Sequence, residues 1–259
     1  METLRGRSLL AVFAHPDDES LACGGLIALC AEAGMRVSLV CATRGEIGRD
    51  SDAGQESGSL AGRRARELAS AADVLGIENV TLLDFEDGML PWTDGDDLHD
   101  AIAAAVSRWT PDAVITFDED GLYWHPDHIA VHRATTDVIA ALGDLGPALY
   151  YVAIPEGAMR TLVEAVRGRV PDDRLHVLGV DDIDAFGTLS PEPAMVVNVA
   201  STAPRKLAAL KAHRSQTRDG PFSVLTDEEA VRFLGTEHLR RAPVGNTVDP
   251  ILELFHQRM

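Results

Sequence analysis

Two short stretches gather the residue types that hydrolytic chemistry needs. In AHPDDES, which runs from Ala14 to Ser20, four ionisable groups (His15, Asp17, Asp18 and Glu19) follow directly on an apolar run from Ser8 to Ala14. Burying three acids and an imidazole without partners costs several kcal/mol each, so the stretch needs either open water or a cation. In YWHPDH, residues 123–128, His125 and His128 repeat the spacing that separates His15 from Asp18. Where a loop turns into a helix, residues three apart fall on one side, so each stretch can offer two side chains to one point. Imidazole and carboxylate together suit zinc or another transition metal, and three protein ligands with one open position are what a hydrolytic metal site requires. The plain alternative is that each stretch caps a helix, with its acids at the positive end and its histidines in water. His128 and His132 also have the H-x-x-x-H spacing of a two-histidine zinc site. No glutamate follows the first of them, and His132 would lie roughly 6 Å further along the helix axis. It is expected to pack or to support a ligand.

Something must bring these two loops together, and the rest of the chain supplies it. Apolar stretches of strand length alternate with longer stretches of helical period. LLAVFA leads to a helical LACGGLIALCAEAG that stops at Gly34, then to RVSLVCA as the second strand. A polar loop from Thr43 to Gly58, long enough to act as a lid, precedes a helix around LAGRRARELASAADVLG. VTLL, the helix DDLHDAIAAAVSRW and AVITF follow; the second histidine stretch then runs into a helix, and ALYYVAI is the fifth strand. This alternation predicts an α/β fold: a Rossmann-like, doubly wound, mostly parallel sheet of order 3-2-1-4-5, with helices on both faces. Strands one and four are neighbours in that order, and ligands bind in the crevice at their carboxyl ends. His15 and His125, remote in sequence, then open on one mouth. Pro126 suits the first helical position, with His125 as the residue before it. Further on, RLHVLGV and AMVVNV read as strands, and PRKLAALKAHRSQ and LTDEEAVRFLG as helices, C-terminal additions that extend the sheet. One domain over residues 1–259 is expected, with a core at about 7–155 and an extension at about 156–259.

Composition narrows the partners. Of 259 residues, 46% are hydrophobic and 25% charged, ordinary for a large domain with a full core. The formal net charge of −18 would repel a polyanion over most of the surface, so nucleic acid and anionic membrane are excluded as expected partners. Arg5 and Arg7 ahead of SLLAVFA imitate the start of a signal peptide, but the apolar run stops at the histidine–acid stretch. No apolar stretch approaches the roughly 18 residues of a membrane helix. A cytoplasmic location is the expectation. Cys23, Cys30 and Cys41 form neither an even set nor a C-x-x-C pair, and read as small core residues.

AHPDDE and YWHPDH resemble the two signature motifs of the PIG-L, or LmbE-like, family of zinc-dependent N-acetylglucosaminyl deacetylases. TRGEIG at 43–48, RAREL at 64–68, DFEDGML at 84–90 and HRSQ at 213–216 resemble further blocks of that family, so the likeness spans most of the chain. It implies that His15, Asp18 and His128 bind Zn2+, that Asp17 is the general base, and that His125 faces the reacting carbonyl as a charged imidazole or acid. Tyr123 stands where relatives carry an assisting tyrosine. Arg64, Asp87, Glu46 and Gln216 match polar residues that hold a sugar. Trp124 departs from the pattern, since relatives often have glycine there, and an indole could stack on a sugar or narrow the mouth. The reading that follows is a zinc-dependent hydrolase of linear amides, removing acetate from a small N-acetylglucosamine-containing conjugate. The same machinery could cleave a different amide, such as a thiol conjugate or an acylated natural product. A non-catalytic sugar- or nucleotide-binding module is the reading from another class, and the missing glycine-rich phosphate loop speaks against it. A homo-oligomer is left open, since relatives include assembled and unassembled proteins.

Overall fold

The computed structural model describes residues 4–51, 58–187 and 195–248. Strand β1 (Ser8–Phe13) is buried along its whole length, as are β4 (Ala113–Phe117) and β5 (Ala148–Ala153). That is what continuous apolar runs require, because helices cover both faces of a parallel sheet. With β2 (Arg36–Thr43) and β3 (Asn79–Phe85), these form the parallel part of the sheet, in the expected order 3-2-1-4-5. Leu9 of β1 is in register with Val37 of β2 and Ala113 of β4, so the carboxyl ends of β1 and β4 open side by side. Helices α1 (Asp18–Glu32), α2 (Leu60–Leu75) and α3 (Gly95–Trp109) follow the first three strands; α4 (Gly121–Trp124) and α5 (Pro126–Leu142) follow β4. Local sequence explains their ends. Ser59 accepts from the Gly62 amide at the start of α2, and Gly76 closes that helix in the left-handed region at φ 82.

The C-terminal third adds α6 (Ala158–Val166), β6 (Met195–Asn198), α7 (Ala203–Ala212), α8 (Arg214–Thr217), α9 (Pro221–Val224), α10 (Asp227–Leu234) and β7 (Thr236–Arg241). Strand β7 pairs antiparallel with both β5 and β6, and the full order is β3-β2-β1-β4-β5-β7-β6. Two expectations are corrected here. RLHVLGV is not a strand: Leu178 and Gly179 take φ 49 and 87, and Val177 and Val180 exchange hydrogen bonds across a tight turn. Two successive residues at positive φ are what a two-residue reversal needs. PRKLAALKAHRSQ is not one helix, for the chain breaks at His213 between α7 and α8. The loop expected from Thr43 to Gly58 lies partly outside the described residues.

Strand β7 escapes a hydrophobic pattern because one of its inward positions is Glu237, only 3% exposed. Its two carboxylate oxygens accept from the amides of Gly25 and Leu26, at 2.8 Å each. Those amides are free because α1 breaks at Cys23, whose φ and ψ of −148 and 26 are not helical. The Lys206 ammonium, equally buried, completes the pair at 2.7 Å. Removing one partner of a buried pair strands the other charge, so Lys206→Met is expected to lower unfolding stability by about 3–5 kcal/mol in urea titration. A Lys206→Met, Glu237→Gln double variant should recover part of that loss.

Candidate active site

The loop after β1 carries the first donor set. The backbone carbonyl of His15 accepts from the Asp18 amide, and an Asp18 oxygen accepts from the His15 amide at 2.7 Å. This exchange fixes the His15 backbone and the Asp18 side chain at the start of α1. Between them Asp17 takes φ 121 and ψ −23, a conformation that residues with a side chain rarely adopt. The loop after β4 carries the second set. His125 caps α5, with Nδ1 accepting from the Asp127 amide at 3.2 Å, and Pro126 takes the first helical position as expected. His128 is fully buried, its ring stacked on Phe117 at 4.0 Å, and its Nδ1–H donates to the Gly121 carbonyl at 2.9 Å. That bond makes Nε2 the ring nitrogen that carries the lone pair.

The two loops meet. His15 Nδ1 lies 3.1 Å from His128 Nε2 and 3.4 Å from Asp18 Oδ2, and the other oxygen of Asp18, Oδ1, lies 3.3 Å from His128 Nε2. Ligands held about 2.0–2.2 Å from one tetrahedral zinc ion stand about 3.3–3.5 Å apart, so two imidazoles and a carboxylate that reaches each of them with a different oxygen suit such an ion. The remaining nitrogen of His15 faces Asp87 at 3.0 Å and Asp127 at 3.2 Å. A carboxylate behind a histidine fixes the tautomer that points its other nitrogen at a metal. Asp127 is held in turn by the amides of Gly88 and Leu90, at 2.8 and 3.1 Å. His15, His125 and His128 form an alternative set of donors within 4.8 Å of one another, as do His15, Asp87 and Asp127.

Electrostatics agree with a cation. Burial works against a charged His15, yet hydrogen bonds to Asp127, Asp18 and Asp87 raise its pKa well above the ordinary imidazole value. The field that favours a proton there favours a divalent ion, which must displace it. Burial pushes Asp18 up, but His128 and His15 outweigh it and hold the carboxyl well below its usual range. Asp17 moves the other way. Burial raises it to about 7 in spite of Arg64, whose Nη2 lies 3.0 Å from its carboxylate. Burial and the neighbouring imidazoles of His128 and His15 lower His125 to about 4, which favours the uncharged ring at neutral pH. With Nδ1 accepting, its Nε2–H is the donor.

Part of this cluster lines a cavity of about 330 Å³ at the carboxyl ends of the strands. His15, Asp17, Asp18, Arg64, Asp87, Tyr123, His125 and Gln216 all face it, and Arg49 and the turn at Leu178–Val180 close its outer wall. Within it, several residues are already engaged. Arg64 donates to the Gly45 and Pro16 carbonyls as well as to Asp17, and Asp87 accepts from Ile47 as well as facing His15. Gln216 donates to the Arg49 carbonyl at 2.7 Å. Glu46 accepts from the Asp87 amide, and its other oxygen is buried without a partner among the described residues. Trp124 is 45% exposed and is not part of the cavity wall. Tyr123 packs edge-on to His125 and His128, with burial holding its hydroxyl pKa well above 10. His132 packs on Tyr151 and hydrogen-bonds the Phe117 carbonyl, away from the cluster. Sequence reasoning missed Asp127, Glu19 and His213. Each stands inside a block already singled out, but only the fold shows what it touches. A larger groove of about 710 Å³ lies at the amino ends of β4 and β5 and has none of the cluster's donors.

The family described as "PIG-L: GlcNAc-PI de-N-acetylase" matches residues 10–139. A 1D-myo-inositol 2-acetamido-2-deoxy-alpha-D-glucopyranoside deacetylase from Acidothermus cellulolyticus is 35% identical over 257 residues, covering 90% of this chain and 87% of that protein. Among solved structures, N,N'-diacetylchitobiose deacetylase from Pyrococcus horikoshii aligns with a TM-score of 0.64 at 21% identity, over 92% of this chain and 84% of the other. The 4-carboxy-2-hydroxymuconate hydratase of Pseudomonas putida aligns nearly as well, with a TM-score of 0.63 at 20% identity over 94% and 99%. The sheet alone therefore does not choose the chemistry. Both histidine stretches fall inside the matched segment, and the similarity to the Acidothermus protein runs through most of both chains, so this chain belongs to the PIG-L family.

Proposed function

We propose that the protein is a zinc-dependent amide hydrolase that removes acetate from a small conjugate containing N-acetylglucosamine. The observation that carries this reading is the convergence of His15, Asp18 and His128, the two imidazoles 3.1 Å apart and each within 3.4 Å of an Asp18 oxygen, with a second buried carboxylate beside them. A zinc ion held by these three residues supplies Lewis acidity, which eases proton loss from water and polarises a carbonyl. The chain's own residues do the rest. Asp17 takes the proton from the attacking water, and a pKa near 7 matches a base working near neutrality. Attack builds negative charge on the carbonyl oxygen, and His125 Nε2–H is the donor for it, with Tyr123 beside it. Such a donor commonly contributes about 3–4 kcal/mol. Carbon–nitrogen cleavage releases acetate and an amine, and the proton collected by Asp17 is available to that amine.

Sugar contacts fall to residues with polar atoms facing the cavity. Gln216 and Tyr123 serve hydroxyl groups, with Arg49 at the rim. Arg64 and Asp87 reach the sugar only with atoms not already given to Asp17 and His15, so they position the machinery first. Glu46 supports Asp87, and Trp124 serves only the part of a substrate that extends past the mouth. No helix among the described residues is long and apolar enough to cross a membrane. The three buried thiols, all unpaired, support a cytoplasmic enzyme.

Acetate release by zinc-loaded protein tests the assignment, with an N-acetylglucosaminyl inositol, N,N'-diacetylchitobiose and free N-acetylglucosamine as substrates. Turnover of at least one is expected. If none reacts while another amide is hydrolysed, the deacetylase assignment falls and the amidase chemistry stands.

A further inference from the structure

We propose that the fully buried pair of Glu19 and His213 holds the backbone of Asp17 in its unusual conformation and so aims the carboxylate that takes the proton. The inference rests on the base role given to Asp17 above.

A residue with a side chain at φ 121 and ψ −23 stores about 1–3 kcal/mol of strain, and such strain persists only where the surroundings over-determine it. Glycine would meet this φ freely, yet the chain keeps a carboxylate there. The restraints can be counted. The Asp17 carbonyl accepts from the amides of Ser20 and Leu21, at 3.1 and 3.0 Å, which ties it to the first turn of α1. Its amide donates to Glu19 Oε2 at 3.1 Å. The other Glu19 oxygen accepts from the Ser20 hydroxyl at 2.6 Å and faces His213 Nε2 at 2.8 Å. Glu19 therefore links the amide of residue 17 to a ring from the break between α7 and α8, far away in sequence. Both side chains are 0% exposed, and His213 Nδ1 finds no hydrogen-bond partner among the described residues. A pair kept for stability alone could be replaced by apolar packing at little cost. The geometry here instead commits one carboxylate oxygen to the amide of the strained residue. With Glu19 cut back, that amide loses its partner and the peptide can relax, swinging the Asp17 carboxylate while His15, Asp18 and His128 stay in place.

Steady-state acetate release and zinc content of the full chain test this, beside Asp17→Asn as a control. Glu19→Ala is expected to lower kcat about 100-fold, the scale of a misplacement near 1 Å, with zinc content unchanged. KM should move less than about threefold, since substrate binding is not the target. Glu19→Gln keeps an acceptor for the Asp17 amide and should recover kcat to within about tenfold of the unaltered enzyme. The double variant Glu19→Ala, His213→Ala should fall no further than Glu19→Ala alone, because the two residues act as a unit. Should Glu19→Ala not fold, His213→Leu and His213→Gln give the same contrast, the first without and the second with a donor for Glu19. Unaltered kcat in a folded Glu19→Ala or His213→Leu protein, or a loss of kcat matched by loss of zinc, overturns the proposal. If Asp17→Asn is itself active, the base role fails and takes this inference with it. If Asp17→Asn is inactive while Glu19→Ala is active, only the positioning role fails.

Discussion

Replacing Asp17 by asparagine is expected to abolish nearly all acetate release, by about 10²- to 10⁴-fold in kcat, while the protein still binds one zinc ion per chain. The size is that of removing a general base, the role proposed for Asp17. Retention of the metal follows from geometry: the mutually close donors are His15, Asp18 and His128, and Asp17 stands outside them, paired with Arg64 at 3.0 Å. Asparagine keeps the shape and the contact with Arg64 but cannot hold the proton. The substitution also removes a carboxylate whose burial raises its pKa to about 7. Measurement of kcat, KM and zinc content on one preparation checks the prediction. Activity close to that of the unaltered enzyme would remove Asp17 from the base role, and zinc loss would move it into the metal shell.

The parallel core could be read from the sequence because its strands are buried on both faces and leave unbroken apolar runs, and because helical stretches of ordinary length separate them. The meeting of His15 with His128 was legible for the same reason, since strand order places the ends of β1 and β4 together. What stayed hidden depends on contacts between distant residues. Strand β7 escapes because its buried Glu237 is neutralised by Lys206 and by the broken helix α1, none of which a local pattern can register. The turn at Leu178 and Gly179 escapes because the flanking valines look like a strand, while the decisive fact is two positive φ angles. Within the site, Arg64 and Asp87 were expected as sugar contacts from the resemblance to the family. Their partners, Asp17 and His15, come from other segments, and only the assembled fold reveals that those polar atoms are already engaged.

His128→Ala is expected to leave a folded protein that no longer retains zinc and hydrolyses no faster than chelator-stripped enzyme. The ring is fully buried, its Nδ1–H is committed to the Gly121 carbonyl, and its Nε2 is the atom that closes the triangle with His15 and Asp18. Losing a ligand should weaken zinc binding beyond the 10- to 100-fold typical of removing an outer partner. Removal of the ring also takes the stack from Phe117, so unfolding stability must be measured with metal content. Two companion variants separate the two donor sets that include this residue. Were the ligands His15, Asp18 and His128, then Asp18→Ala loses zinc and His125→Ala keeps it while losing turnover. The opposite pattern assigns His125 to the metal, as the grouping of three imidazoles allows. His125 Nδ1 already accepts from the Asp127 amide and its ring caps α5, which leaves it the other nitrogen for substrate, so the first pattern is the expected one.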